Sequence, residues 1–202
     1  MIAQPQLSPP CTPADYLAFE VNADTRHEYI DGEIVPMTGG TPNHNRIIRN
    51  LCTALTLGLR GQAYEVFVAD QRLWMPAAQI YTYPDVMVIE GELVYQPGRR
   101  DTLMNPKLII EVLSKSTKEY DRGDKFAAYR TIPSFQEYLL VDQYACHVES
   151  YGKSGEKRWI FQEYDRLEAT VTLESCDFTI ALQDLYDKVQ FEAIAPDTLE
   201  GN

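Results

Sequence analysis

The chain has 202 residues, 45% of them hydrophobic and 24% charged, with a formal net charge of −12. Those figures suit one globular domain and exclude a disordered chain. The acidic balance argues against indiscriminate binding to nucleic acid. No stretch reaches the roughly 18 consecutive apolar residues of a membrane span, and the start lacks a signal-peptide pattern, so a soluble cytoplasmic protein is the expectation.

In chain order, residues 1–11 read as a flexible arm, 12–192 as a single domain and 193–202 as a loose tail. Residues 12–22 predict a short helix, with Thr12 as its cap and Pro13 at its first position. Residues 27–37 predict a hairpin that turns at Asp31-Gly32. After the loop Gly39-Gly40-Thr41-Pro42, residues 43–59 carry Ile47, Ile48, Leu51, Cys52, Leu55 and Leu59 at helical spacing, and Gly61 is placed to end the helix. Strands are predicted at 64–69, 72–75 and 85–89, followed by a polar connection to Pro106. A strongly apolar strand follows at 107–113, then a helix at 118–131 that Gly123 weakens near its start, then a strand at 137–142. Residues 147–151, 158–164 and 169–173 predict an antiparallel meander, and a short element closes the domain at 182–189. This order gives a mixed α/β domain with one central sheet, and no GxGxxG or GxxxxGK[ST] cradle is present.

Cys11, Cys52, Cys146 and Cys176 are far apart and form no CxxC pair, which argues against a zinc site or a disulfide framework. Charge is unevenly spread. Residues 99–130 hold eight basic and five acidic side chains, whereas residues 133–202 hold five basic and fourteen acidic ones.

Glu111 stands inside the run Lys107-Leu108-Ile109-Ile110-Glu111-Val112-Leu113. An unpaired carboxylate there would cost several kcal/mol or stay protonated, so a cationic partner is expected. A second acid, Asp85, follows Pro84 at the mouth of another strand. Alternation puts Asp85, Met87 and Ile89 on one face of their strand, and Lys107, Ile109, Glu111 and Leu113 on one face of the next. If the two strands are neighbours, the acids converge. Two hard oxygen ligands suit Mg²⁺ or Mn²⁺ rather than zinc. Lys125, on the following helix with Asp121 and Tyr129 at i−4 and i+4, is the best cation for balancing charge on a phosphate.

Pro84-Asp85, Ile110-Glu111-Val112-Leu113-Ser114, Tyr120-Asp121-Arg122-Gly123-Asp124-Lys125 with Tyr129, and Tyr138-Leu139-Leu140-Val141-Asp142 together resemble the Uma family of the PD-(D/E)XK nuclease-like superfamily. The resemblance also takes in residues 29–33 and Asn43-His44, and covers roughly residues 12–190. It implies a restriction-endonuclease-like α/β fold: a central mixed β-sheet flanked by helices, with additional C-terminal antiparallel strands. It implies a metal-dependent endonuclease acting on DNA phosphodiester bonds, with Mg²⁺ or Mn²⁺ held by Asp85 and Glu111. By analogy with nucleases of this architecture, a homodimer is expected. The usual pattern has its lysine two residues beyond the second acid, and here that position is Leu113. The resemblance implies that Lys125 takes over from the following helix. A second departure is Lys115, where relatives tend to have proline.

His44, near the start of the first long helix, is a further catalytic candidate that would assist by contacting a ligand water or phosphate. Glu33 could add an acid from the sheet's edge. Each residue also has a plain structural reading: Glu111 a satisfied buried carboxylate, Asp85 a turn residue, Lys125 a solvent-facing ion pair with Asp121, His44 a helix-start polar group and Glu33 a hairpin charge. Tyr81, Tyr83 and Tyr95 could stack on bases or pack the sheet. A non-catalytic binding or scaffold protein that keeps the fold is the alternative function, and a small-phosphoester hydrolase is a third.

Overall fold

The structure, a computed structural model, describes residues 11–191. The arm expected at 1–11, Cys11 apart, and the tail expected at 193–202 lie outside the described residues.

Helix α1 (Pro13–Glu20) starts on a reciprocal cap: the Asp15 amide donates to Thr12 Oγ1 at 3.2 Å, and the Thr12 amide donates to Asp15 Oδ2 at 2.9 Å. Strands β1 (His27–Ile30) and β2 (Glu33–Pro36) form the expected hairpin. Asp31 and Gly32 have φ of 49° and 85°, the positive values that a two-residue primed turn demands. Helix α2 (Pro42–Gly58) is capped by Thr41 and buries Ile47, Leu51 and Leu55, one face of the predicted periodicity.

The remaining strands are β3 (Tyr64–Val68), β4 (Arg72–Met75), β5 (Ile80–Thr82), β6 (Val86–Glu90), β7 (Thr102–Leu103), β8 (Leu108–Leu113), β9 (Glu137–Asp142), β10 (Val148–Gly155), β11 (Arg158–Tyr164), β12 (Thr170–Leu173) and β13 (Phe178–Ala181). The predicted helix after β8 has three parts: α3 (Lys118–Tyr120), a π-helical turn (Asp121–Lys125) and α4 (Phe126–Tyr129). Helix α5 (Leu182–Leu185) follows β13.

The central sheet is mixed and six-stranded, in the order β11-β10-β9-β8-β6-β3, with β8 and β9 parallel and the other neighbours antiparallel. All six residues of β8 are buried, as a strand covered on both faces requires. On one face Val86, Val88, Leu108, Ile110 and Val112 pack with Ile47, Leu51 and Leu55 of α2. On the other, Met87, Ile109, Leu113 and Tyr138 pack with Tyr129, Phe135 and residues of a second sheet.

That second sheet, ordered β2-β1-β5-β4-β7, corrects the expectation of one sheet. The hairpin belongs to it, and it is completed by β5 and β7, which at three and two residues are too short to show a period. The predicted meander also changes. Strand β12 leaves β11 and pairs with β13, which lets Val171, Leu173 and Ile180 cover the α2 side of the core.

Candidate functional site: an acidic cleft around Lys125

Antiparallel pairing of β6 with β8 sets Val86 against Ile110 and Met87 against Ile109. One residue further along that register, Asp85 faces Glu111 across the mouth of the sheet. The Asp85 amide donates to Glu111 Oε2 at 3.3 Å, and the Val112 amide donates to Asp85 Oδ2 at 2.8 Å. Asp85 therefore stands just before its strand, where Pro84 cannot offer a ladder N–H.

Glu111 is only 4% exposed. Its Oε1 accepts the Tyr129 hydroxyl at 2.6 Å and lies 3.0 Å from Lys125 Nζ. Lys125 is itself buried, and its Nζ also lies 3.5 Å from Glu28 Oε1 and 3.6 Å from Asp121 Oδ1. The π turn presents Asp121 and Lys125 together to the interior, and the Tyr138 hydroxyl anchors it by donating to the Asp121 carbonyl at 3.1 Å. Turns of this kind recur at functional sites. Leu113, where the common pattern would place the lysine, is buried in the core.

His44 reaches the cluster from the first turn of α2, with Nε2 3.2 Å from Asp85 Oδ2. Its amide is fixed by Thr41 Oγ1, and Thr41 also donates to Gln143, whose Nε2 donates to the Leu113 carbonyl at 2.8 Å. Those bonds tie the start of α2 to the end of β8. Glu33 is exposed in β2 and does not line the cleft.

The acid that the hairpin does contribute is Glu28, a residue the sequence reading passes over. Its Oε1 accepts the Thr82 hydroxyl besides facing Lys125. A signal was present, since alternation puts Glu28 on the same side of β1 as the core-facing Ile30. Tyr81 stacks on Trp74 with ring centroids 4.0 Å apart, inside an aromatic cluster with Tyr16 and Tyr29, so it packs the fold. Tyr83 is buried as well, and Tyr95 is exposed.

Three carboxyl groups, those of Glu28, Glu111 and Asp121, thus face one lysine, and Asp85 stands beside Glu111 and His44. Burial pushes the Glu111 carboxyl up to about 8; Lys125 opposes the rise, and the charges of Asp85 and Asp121 add to it. Burial also raises Asp121, against the pull of Lys125. Burial alone would lower Lys125, but Glu111, Glu28 and Asp121 outweigh it and hold the ammonium well above its ordinary range. The pocket is short of positive charge.

The cluster opens into a cleft of about 530 Å³ between the loop 37–41 and the loop 114–117. Lys115 is the one basic side chain lining it besides Lys125 and His44, so the rim is not a basic one. Among the described residues, no three of His, Cys, Asp and Glu converge into a metal cage. Asp85 Oδ1 accepts no hydrogen bond from the described residues, and Glu111 Oε2 holds only the long amide contact. Two carboxyl groups with open lone pairs are the hard oxygen donors that suit Mg²⁺, which keeps several waters and binds through one or two protein oxygens.

A family model described as "Putative restriction endonuclease" (Uma2) matches residues 13–183. Two uncharacterized proteins of Synechocystis sp. (strain ATCC 27184 / PCC 6803 / Kazusa) are similar. One, sll1609, is 45% identical over 152 residues, covering 75% of this chain and 86% of its own length. The other, slr1290, is 35% identical over 189 residues, covering 91% and 95%. A crystal structure from Anabaena variabilis ATCC 29413, described as "a putative nuclease belonging to DUF820", superposes with a TM-score of 0.74. That alignment covers 90% of this chain and 100% of the other at 17% identity, and it shows a shared fold.

Proposed function

Since the chain belongs to the Uma2 family, we propose that it is a metal-dependent endonuclease hydrolysing DNA phosphodiester bonds at the cleft of Asp85, Glu111 and Lys125. The observation that carries this reading is Lys125 Nζ 3.0 Å from Glu111 Oε1 at an open cleft, although the lysine comes from a different element than the common pattern uses. Asp85 and Glu111 would hold Mg²⁺ or Mn²⁺. Such an ion supplies Lewis-acid polarisation of the phosphate and activation of the attacking water.

The chain's own groups do the rest. Lys125, kept charged by three carboxylates, supplies a fixed cation for negative charge developing on the phosphate. Tyr129 holds the Glu111 carboxyl in place, and His44 orients Asp85 from the other side. The acidic pocket repels a bare phosphodiester, so binding and cleavage should both need the divalent ion. A homodimer would offer one site to each strand of a duplex.

A scaffold that keeps the fold without catalysis is the second reading, favoured by the net charge of −12 and the sparse basic rim. Plasmid and short-duplex cleavage with Mg²⁺ or Mn²⁺ separates the two. The nuclease reading expects metal-dependent cleavage that falls on the order of a hundredfold or more in Glu111→Ala and in Lys125→Met. Equal silence of wild type and variants would favour the scaffold.

A further inference from the structure

Apart from its acids, the cleft has walls of another kind. Val35, Met37 and Ile48 line it from β2, the loop after β2 and α2, and Tyr144 lines it from beyond β9. Positive charge comes only from Lys115, His44 and Lys125, and Lys125 is held by three carboxyl groups. A duplex is gripped mainly through its phosphates, by many cations, and this cleft offers few. A strand can also be held by stacking its bases on aromatic rings, an attraction that accepts any base and does not draw on cations.

Tyr144 is a ring placed for that task. Strands β8 and β9 are parallel neighbours, so both leave the sheet at the same end. Lys115 follows β8 by two residues, and Tyr144 follows β9 by two. Lys115 Nζ stands over the Tyr144 ring, 5.1 Å from its centroid. Lys115 is exposed and Tyr144 half-buried. The backbone beneath the ring is fixed. The Tyr144 and Ala145 amides donate to Asp142 Oδ1 at 2.6 and 3.2 Å. The buried Gln143 donates to the Leu113 carbonyl at 2.8 Å, and its own carbonyl accepts from Asn43 Nδ2 at 3.3 Å. A platform held this way loses little freedom when a base lands on it. Tyr83, the other ring at the cleft, is 4% exposed, with its hydroxyl bonded to Glu20 at 2.9 Å. Lys115 comes four residues after Glu111, no more than about 14 Å of extended chain, so the acids and the Lys115–Tyr144 pair address one short stretch of strand.

We propose that the cleft takes an unpaired stretch of DNA, with one base stacked on Tyr144 and Lys115 on the phosphate beside that base. A base inside a duplex shows only its edges in the grooves and cannot lay its face on a side chain, so the strand enters single, flapped or locally opened. The choice of DNA rests on the nuclease reading, whereas the platform stands on the placement of Tyr144.

Binding, read apart from cleavage, tests it. The full-length protein in Ca²⁺ is titrated into a thymine oligonucleotide with 2-aminopurine at spaced positions, whose fluorescence falls on stacking, and into the same strand as a blunt duplex. Wild type should bind the single strand about tenfold or more tighter than the duplex and quench the probe. Tyr144→Ala should weaken single-strand binding about tenfold and lose the quench, with an unchanged far-UV circular dichroism spectrum. Tyr144→Phe should keep both, because stacking uses the ring and not the hydroxyl. Lys115→Met should keep the quench and make the slope of log K against log salt shallower by about 0.7, one phosphate contact on a single strand. No preference for the single strand, a quench that survives Tyr144→Ala, or a Tyr144→Phe variant as impaired as Tyr144→Ala would each overturn the proposal. Metal-dependent cleavage with any of those results would leave the nuclease reading standing. Stacking on Tyr144 in a protein that cleaves no DNA would overturn the nuclease reading and keep the platform.

Discussion

Glu111 is a carboxyl whose surroundings favour its proton. Burial, with Asp85 and Asp121 beside it, lifts it to about 8 against the pull of Lys125. The ordinary glutamate value is about 4.3, so between these two values the folded chain keeps a proton that the unfolded chain gives up. Stability of the metal-free protein should therefore decline as pH rises from about 5 to about 8, as the folded form loses that proton. Glu111→Gln cannot lose it, and should show a flatter profile and a higher Tm than wild type at the alkaline end. Thermal melts in chelator across that range check this, and parallel profiles would count against a strained Glu111. A stabilising substitution that abolishes cleavage is the trade expected of a functional group. At this scale much of the cleft was legible, because an acid inside an apolar run and an acid after proline are conspicuous in the chain itself. Glu28 was legible only as an inward-facing acid beside Ile30; its role comes from Lys125 and Thr82, neither of which lies near it in sequence.

Elements were legible in proportion to the length of their pattern. Strands β8 and β9, at six residues each, and helix α2 announce themselves by unbroken or periodic apolar residues. The β1–β2 turn announces itself by Asp31-Gly32. Strands β5 and β7 do not, and their absence from the pattern hides the whole second sheet. The π turn is hidden for another reason: it is a change of hydrogen-bond register inside a helical segment, with no residue type of its own. Gly123 lies within it, its φ is not positive, and a Cβ there would meet nothing within 4 Å. Gly123→Ala should therefore stabilise the protein by about 0.5–1 kcal/mol through lost freedom of the unfolded chain, read as a rise in Tm. Deleting Gly123 asks a different question. Removing the extra residue restores α-helical spacing and turns the segment by about 100°, which separates Lys125 from Glu111 or Tyr138 from its carbonyl. The deletion should keep the far-UV circular dichroism spectrum and lose cleavage; retained cleavage would show that the π turn is not needed to place Lys125.

Across the whole molecule, charge sets the terms on which nucleic acid can approach. The excess of acid lies in residues 133–202, and the locally basic 99–130 segment spends much of its charge internally. Lys125 is buried among carboxylates, Arg122 is paired with Glu149 at 2.6 Å, Lys107 with Glu90 at 2.6 Å, and Arg99 with Asp101 at 2.5 Å. Net charge by segment, which the sequence does give, overstates the charge left to meet phosphate. Two lysines, Lys115 and Lys125, line the cleft. Each phosphate contact on duplex DNA contributes about −0.9 to the slope of log K against log salt, so binding through this cleft should show a slope no steeper than about −2. Proteins that grip six to ten phosphates show much steeper dependence. Fluorescence anisotropy of a labelled duplex with the wild-type protein in Ca²⁺, titrated with NaCl, measures the slope. A value beyond about −5 would require a second basic surface outside the cleft, because two lysines cannot release that many counterions. A shallow slope would mean that the divalent ion, rather than a basic rim, carries the attraction for phosphate.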